Sequence, residues 1–283
     1  MSMPKSAAAV VLAFVVAACG AFPGGQGNLP APSPPTAALA KWKDFPANAK
    51  PRPIIAFGDT VEHIPDAGFP DDNRKVAWMC NKFVLAPGVT LSATPTSDRI
   101  SAAAAYAQLM AARATNSDSS SQCSPLRAFV ITRVRLATAG FPTDRGTQEM
   151  PAWLFDVPEV NAYIGHLALP PSSLWGGGVT TDEGRGAQVS ADGMTLRVGV
   201  SDMQPGPCGN DYTAAAAESS TAVAVAVKQY PHASPGSEVA CDLMMRVGYI
   251  EVRLESPLGG RVLLDETGHV GTASAWAVAG DRP

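Results

Sequence analysis

Apolar and polar side chains alternate along much of the second half of this 283-residue chain. A period of two places successive side chains on opposite faces of a β-strand. No amphipathic helix separates the stretches that show it, which are residues 196–200, 223–227, 250–254 and 262–264. The pattern therefore predicts a mostly β module over residues 193–283.

The first half of the folded body, residues 54–175, combines helical and strand periodicity. After Thr94-Pro95, apolar residues from Ala102 onward recur at helical spacing, and either Asp98 or Ser101 is suited to cap the helix. Strands are predicted over residues 54–57, 83–85, 129–138, 153–157 and 163–169. A helix plus an antiparallel meander followed by the β module makes the predicted fold class α+β.

The stretch from residue 176 to residue 192 separates these two halves. It is polar and contains Gly176-Gly177-Gly178 and the sequence Asp182-Glu183-Gly184. Such composition is typical of a domain boundary or a long hairpin, so we expect a Gly-rich polar connection here.

The first 18 residues have the pattern of a signal peptide. One lysine precedes an apolar run over residues 7–18, which is shorter than the roughly 20 residues that span a bilayer. The run leads into Val16-Ala17-Ala18-Cys19, the arrangement of a bacterial lipobox. This predicts a lipidated Cys19, carrying diacylglycerol and an acyl chain such as palmitate. The alternative is an ordinary cleaved signal with a chance cysteine.

Residues 19–53 would then begin with the lipidated Cys19 and continue as a spacer. Eight prolines fall between Gly20 and Pro53. Proline-rich segments favour the extended polyproline II conformation and act as semi-rigid linkers. Trp42 and Phe45, near the end of this segment, are candidates to dock on the folded body.

Four cysteines remain if Cys19 carries lipid. Outside the cytoplasm an even number of cysteines indicates disulfides, and four cysteines allow three pairings. Sequential pairing, Cys80–Cys123 and Cys208–Cys241, keeps each bond within one half of the chain. No two of these cysteines lie closer than 33 positions and no histidine is near any of them, so a zinc site is not predicted.

Three motifs stand out at the level of the strands. They are Met150-Pro151-Ala152-Trp153-Leu154-Phe155, then Gly206-Pro207-Cys208-Gly209 followed by Tyr212 and Glu218, and Ser256-Pro257-Leu258-Gly259-Gly260-Arg261 followed by Asp265. They resemble secreted lipoproteins of high-GC Gram-positive, actinobacterial type, which are uncharacterised. The resemblance implies a shared architecture and the Cys208–Cys241 disulfide, and it implies no activity.

Residues that carry chemistry are scattered. No serine stands in a nucleophile motif, and the neighbouring Asp71 and Asp72 are interpreted as solvated loop charges. His166, on a predicted strand with Asp156 in reach, is either a structural histidine or a general base.

A loop site is the other possibility. Trp175 before the three glycines is either a stacking surface for sugar or peptide or a cap on a sheet edge, whereas Trp153 and Trp276 are predicted to lie in the core. The candidate ligand-binding residues are Trp175, His166, Asp182 and Glu183.

Composition narrows the function. Only 16% of residues are charged and the net charge is -4, which disfavours nucleic-acid binding. The sequence predicts a lipoprotein held by its lipid on the extracytoplasmic face of the cell membrane, working as a binding or accessory module for an envelope protein, peptide or glycan. No cofactor or metal is predicted. The alternative is a cell-envelope hydrolase with an unrecognised carboxylate or histidine site.

Overall fold

Two α-helices and thirteen β-strands are present in the computed structural model, which describes residues 29–116, 123, 125–180, 183–203, 208–232 and 246–276. The chain divides into two units. We call Pro46–Gly184 with Val270–Ser274 the α+β unit, and the described parts of Met1–Phe45, Arg185–His269 and Ala275–Pro283 the β unit. The predicted α+β fold class, with a mostly β C-terminal part, is confirmed.

Helix α2 (Ala102–Asn116) begins where the sequence predicts it. The Ser101 hydroxyl accepts a hydrogen bond from the backbone N–H three residues later at 3.1 Å, so Ser101 rather than Asp98 caps the helix. Ala105 and Leu109, four residues apart, are both buried in the core cluster. This stripe turns one face of α2 toward the strands of the unit.

A shorter helix, α1 (Asp72–Met79), lies where the sequence analysis places a loop. Asp71 is not a free loop charge, because its side chain accepts the Arg74 N–H at 2.8 Å and caps α1. The Arg74 guanidinium is buried 3.6 Å from the centroid of the Phe129 ring. A charged residue on the inner face interrupts the apolar stripe, so periodicity alone does not reveal this helix.

A four-stranded antiparallel sheet forms the centre of the α+β unit. Its strands are β1 (Thr60–His63), β4 (Arg133–Thr143), β5 (Gly146–Val157) and β6 (Ala162–Leu167), in the order β1-β6-β5-β4. Strands β4, β5 and β6 pair antiparallel in succession, which confirms the meander. Phe155 and Ile164 pack with α2 on one face, and Leu154 and Leu167 lie in a second cluster on the other face.

The strand predicted over residues 129–138 is divided at Thr132. Its first part, β3 (Phe129–Ile131), pairs in parallel with β2 (Phe83–Leu85) rather than continuing in the large sheet. The Thr132 N–H donates to the Asp156 carbonyl at 3.1 Å as the chain changes sheets. Periodicity detects extended backbone, but it does not say with which strand that backbone pairs.

The predicted strand over residues 54–57 is wrong. Ile54 forms a single parallel bridge with Leu174, and Ala56 forms a single antiparallel bridge with Thr143. A short apolar run is compatible with a strand or with other buried backbone, and here it is held by isolated bridges.

A seven-stranded sheet follows along the chain. Its strands are β7 (Glu183–Val189), β8 (Thr195–Ser201), β9 (Asn210–Glu218), β10 (Ala222–Pro231), β11 (Val247–Arg253), β12 (Val262–Asp265) and β13 (Val270–Ala275). Within the β unit, β11, β8 and β7 lie side by side in that order, and so do β12, β10 and β9. The pairs β8–β11 and β9–β10 are antiparallel, and β10–β12 is parallel. The four strands predicted in this half are confirmed as β8, β10, β11 and β12.

Two strands of this sheet lie in segments that give no strand signal. Strand β7 occupies part of the Gly-rich stretch 176–192, within which the boundary between the two units also falls, after Gly184. Strand β9 contains the alanines from 214 to 217, whose β-propensity is low. Ala216 pairs with Val225 and Ala214 with Val227, so the neighbouring valines of β10 supply the bulk that β9 lacks.

The motif residues of the β unit hold its backbone together. The Arg261 guanidinium donates to Glu218 at 2.8 Å and to the Pro257 carbonyl at 3.0 Å. The Asp265 carboxylate accepts the Thr267 N–H at 2.8 Å and so closes the turn after β12. These roles are structural, so the motifs report architecture rather than a ligand site.

The later part of the proline-rich segment is packed, in contrast to the predicted extended spacer. Residues Thr36–Trp42 form a 3₁₀-helix, and Phe45 is 1% exposed. The indole N–H of Trp42 donates to the carbonyl of Gly268 at 3.3 Å. Trp42 and Phe45 therefore dock as expected, because aromatic side chains near its end give this segment apolar area to bury. Residues 19–28 lie outside the described residues.

Candidate functional site

The predicted Cys80–Cys123 disulfide is present in the α+β unit and spans a sequence separation of 43. Cys80 directly follows α1 and is buried. Cys208 is also disulfide-bonded. Cys241, its predicted partner, and Cys19, the predicted lipidation site, lie outside the described residues, so the Cys208–Cys241 pairing and the lipidation stay predictions.

His166 is buried in the α+β unit, with a side chain only 2% exposed. It lies on β6, opposite Thr60 of β1 and Trp153 of β5. Its Nδ1 lies 3.0 Å from the Leu167 carbonyl oxygen. A carbonyl only accepts hydrogen bonds, so Nδ1 carries a proton and donates it.

The other ring nitrogen of His166 faces a carboxylate. Its Nε2 lies 3.6 Å from Asp59 Oδ2 and has no hydrogen-bond partner. Asp156, which the sequence analysis places in reach of His166, pairs instead with Arg133 at 2.6 Å and Arg135 at 3.1 Å. The expectation is wrong because strand alternation puts Asp156 on the other face of the sheet from Phe155 and its cluster.

This geometry favours the structural interpretation of His166. The contact of Nδ1 with the Leu167 carbonyl fixes the orientation of the ring between the paired strands. Asp59 is partly exposed, whereas the imidazole is enclosed by β1, β5 and β6. Solvent therefore reaches the carboxylate of Asp59 more readily than the imidazole of His166.

Trp175 lies in a different environment from His166. It begins a short 3₁₀ turn in which Gly176 has a φ of 72°. The backbone N–H of Trp175 donates to the Ile54 carbonyl at 2.8 Å. The ring is half-buried. Its neighbour Leu174 packs in the cluster on the face of the sheet away from α2, whereas His166 shares the α2 side with Ile164. The two candidates are therefore not brought into one site.

The acidic candidates beside the glycines divide between described and undescribed residues. Glu183 is exposed at the start of β7 and accepts a long hydrogen bond from the Thr272 hydroxyl at 3.4 Å. Asp182 lies outside the described residues. The alternative of a cell-envelope hydrolase with an unrecognised carboxylate or histidine site stays a prediction.

The solvent-facing side of β8 and β11 carries a group that the sequence analysis does not identify. Alternate residues of the two strands are buried on the inner side: Leu196, Val198, Val200, Ile250 and Val252. The residues between them, Arg197, Tyr249 and Glu251, point outward. The register sets Tyr249 opposite Gly199 and Glu251 opposite Arg197.

Arg197 is held between two aromatic rings. The central carbon of its guanidinium lies 4.1 Å from the centroid of the Trp276 ring and 4.9 Å from that of Tyr249. Its Nε lies 3.6 Å from Glu251 Oε1. We call Arg197, Tyr249, Glu251 and Trp276, with the open position at Gly199, the aromatic–arginine face. Cation–π stacking of this kind stabilises a side-chain conformation.

Trp276 corrects an expectation from the sequence. Trp276 is half-buried against Arg197 on the outer face of the sheet, so it is not a core residue. Its backbone N–H donates to the Val189 carbonyl at 2.8 Å. Trp153 does pack against the core cluster, and its indole N–H donates to the Ile100 carbonyl at 2.9 Å. Both tryptophans follow apolar strand residues, and sequence alone does not distinguish the two environments.

Metal ligands do not gather within the described ranges, where no three His, Cys, Asp or Glu side chains are placed to hold an ion. No helix in the part of the chain that the structure describes has the length and apolar character needed to cross a membrane.

Comparison with known proteins gives no relative for the chain. No protein-family model matches it, and no curated protein or solved structure matches it either.

Proposed function

We propose that this protein is a lipid-anchored lipoprotein on the extracytoplasmic face of the cell membrane, where it works as a binding or accessory module. The observation that carries the proposal is the Cys80–Cys123 disulfide. Structural disulfides persist in oxidising compartments, outside the cytoplasm. The lipobox ending at Cys19 directs a chain to that same compartment.

Binding suits the accessible chemistry better than catalysis does. The buried imidazole of His166 is enclosed, and the carboxylates of Asp156 and Glu218 are engaged with Arg133 and Arg261. The aromatic–arginine face instead offers an exposed ring at Tyr249 beside a guanidinium and a carboxylate that lie 3.6 Å apart, groups suited to hydrogen-bonding a ligand. Such a surface recognises a partner and leaves it unchanged.

Replacing Cys19 by alanine should release the protein from the membrane. Two or three acyl chains, at about 0.8 kcal/mol per buried CH₂, form a firm anchor, and without the thiol no thioether can form. In cells fed labelled palmitate, we expect the label and the membrane fractionation to be lost together. The measurement is the distribution of protein and label between membrane and soluble fractions.

Gly20→Ala is the matched control, since it changes the next residue and keeps the thiol. It should remain labelled and in the membrane fraction. Membrane retention of Cys19→Ala at the level of the unsubstituted protein would show that lipid on this cysteine is not the anchor.

A further inference from the structure

We propose that the aromatic–arginine face of β8 and β11 binds a neutral glycan chain. This inference rests on the proposed binding role and deepens it by assigning a class of ligand. All the residues that it uses lie in the β unit.

Tyr249 supplies apolar area for a sugar ring. The residue is 38% exposed even though it stacks on Arg197, and Val247 beside it on the same strand face is 61% exposed. Opposite Tyr249 lies Gly199, where an added Cβ would meet no atom within 4 Å. The missing side chain leaves open space beside the ring. A flat C–H face of a pyranose or furanose can stack on an aromatic ring from such a position.

Stacking positions Arg197 before a ligand arrives. Two rings lie against the guanidinium, at 4.1 and 4.9 Å, and the N–H groups that remain for a ligand donate in its plane. Its Nε is buried, 3.6 Å from Glu251, so the terminal nitrogens of the guanidinium are the donors left for a ligand. A donor group that is already held in one conformation loses less conformational entropy when a ligand binds.

Arg197 and Glu251 together match the hydroxyl groups of a sugar. The guanidinium only donates hydrogen bonds, and the carboxylate only accepts them. Each sugar hydroxyl does both, so two adjacent hydroxyls can satisfy the pair at once. Donor, acceptor and exposed ring lie within one patch of two paired strands, which is the combination that a sugar needs.

Charge favours a neutral glycan over an acidic one. Arg197 and Glu251 cancel at the centre of the face, Arg253 at the end of β11 interacts with the carboxylate of Asp192, and the whole chain has a net charge of -4. An acidic sugar bound to Arg197 would bring its carboxylate close to Glu251, and like charges in contact disfavour binding. A peptide added to the edge of β11 would use backbone groups and would depend little on Arg197 or Tyr249.

The test applies the full chain, purified in detergent, to immobilised oligosaccharides. The array holds neutral oligosaccharides of glucose, galactose, mannose, arabinose and N-acetylglucosamine, with glucuronic acid oligosaccharides for comparison. The best binder is then titrated by calorimetry. We expect Arg197→Gln and Tyr249→Ala each to weaken binding about tenfold or more, the size of one lost hydrogen bond to a charged group or one lost stacking contact.

Two further variants serve as controls. Tyr249→Phe keeps the ring and should bind within about threefold of the unsubstituted protein, because stacking needs the ring and not the hydroxyl. Arg133→Gln, an exposed arginine of the α+β unit, should not change binding. Thermal melting of each variant shows whether the fold is kept.

The inference is overturned if the unsubstituted protein retains no neutral oligosaccharide, if it retains only the acidic ones, or if a bound glycan survives both Arg197→Gln and Tyr249→Ala. If no oligosaccharide binds but Cys19 carries labelled palmitate, the proposed ligand is wrong and the proposed lipid anchor is supported. If glycans bind but Cys19 carries no label, the lipid anchor is wrong and the proposed ligand is supported.

Discussion

The double variant Cys80→Ala/Cys123→Ala is expected to lower the free energy of unfolding of the α+β unit by about 4 kcal/mol. The bond spans a sequence separation of 43 and encloses β2 and α2. Removing it returns to the unfolded chain the freedom that loop closure had taken away. Hydrogen exchange of the α2 amides should therefore speed up by about a thousandfold.

Met79→Ala is the matched control for the disulfide variant. Met79 precedes Cys80 and is 68% exposed, so its truncation should change the unfolding free energy by less than about 0.5 kcal/mol. If the double cysteine variant changed the free energy of unfolding as little as Met79→Ala, the disulfide would not stabilise this unit as we infer.

Asp144→Ala is expected to destabilise the α+β unit by about 3 kcal/mol. The Asp144 side chain, 2% exposed between β4 and β5, accepts N–H groups of Arg52 at 2.5 and 3.2 Å. Arg145 also lies 3.5 Å from it. Burial, and then repulsion from Arg52, lower the pKa of Arg145, and the Asp144 charge opposes this. Without the Asp144 carboxylate, less negative charge offsets the repulsion between the partly buried guanidinium groups of Arg52 and Arg145.

Urea unfolding of the full chain measures this effect, with Asp98→Ala as the control. Asp98 pairs with Arg99 at 2.9 Å on the surface, where hydrogen bonds from Arg99 and Thr96 lower its pKa to about 2. That carboxylate is exposed to water, so its removal should leave the unfolding transition in place. Equal transitions for Asp144→Ala and Asp98→Ala would contradict the role assigned to burial.

Patterns among residues that are close together in sequence predict much of the fold. Helix α2 has a cap at Ser101 and an apolar stripe through Leu109, and strand β8 alternates cleanly from Leu196 onward. Both are determined by residues close together in sequence. Strand β9 is not determined in this way, because its alanines form a strand through pairing with β10. Ile54 and Ala56 form isolated bridges instead of the strand that their apolar run predicts.

The candidate site was much less predictable. The sequence analysis singled out His166, but its partner Asp59 belongs to the chain just before β1 and is set beside it by strand pairing. Arg197 and Tyr249 each look like ordinary solvent-facing residues of separate strands. Only the register of β8 with β11 and the position of Trp276 bring them into one stack. Contacts of this kind depend on tertiary pairing, which single-sequence periodicity does not encode.

Mass spectrometry of non-reduced peptides from the native membrane fraction tests whether the protein is lipid-anchored and disulfide-bonded outside the cytoplasm. We predict a mature N-terminus at Cys19 that carries diacylglycerol, together with linked peptides for Cys80–Cys123 and Cys208–Cys241. An unmodified Cys19 within an unprocessed N-terminus, with free thiols at Cys80 and Cys123, would contradict the account.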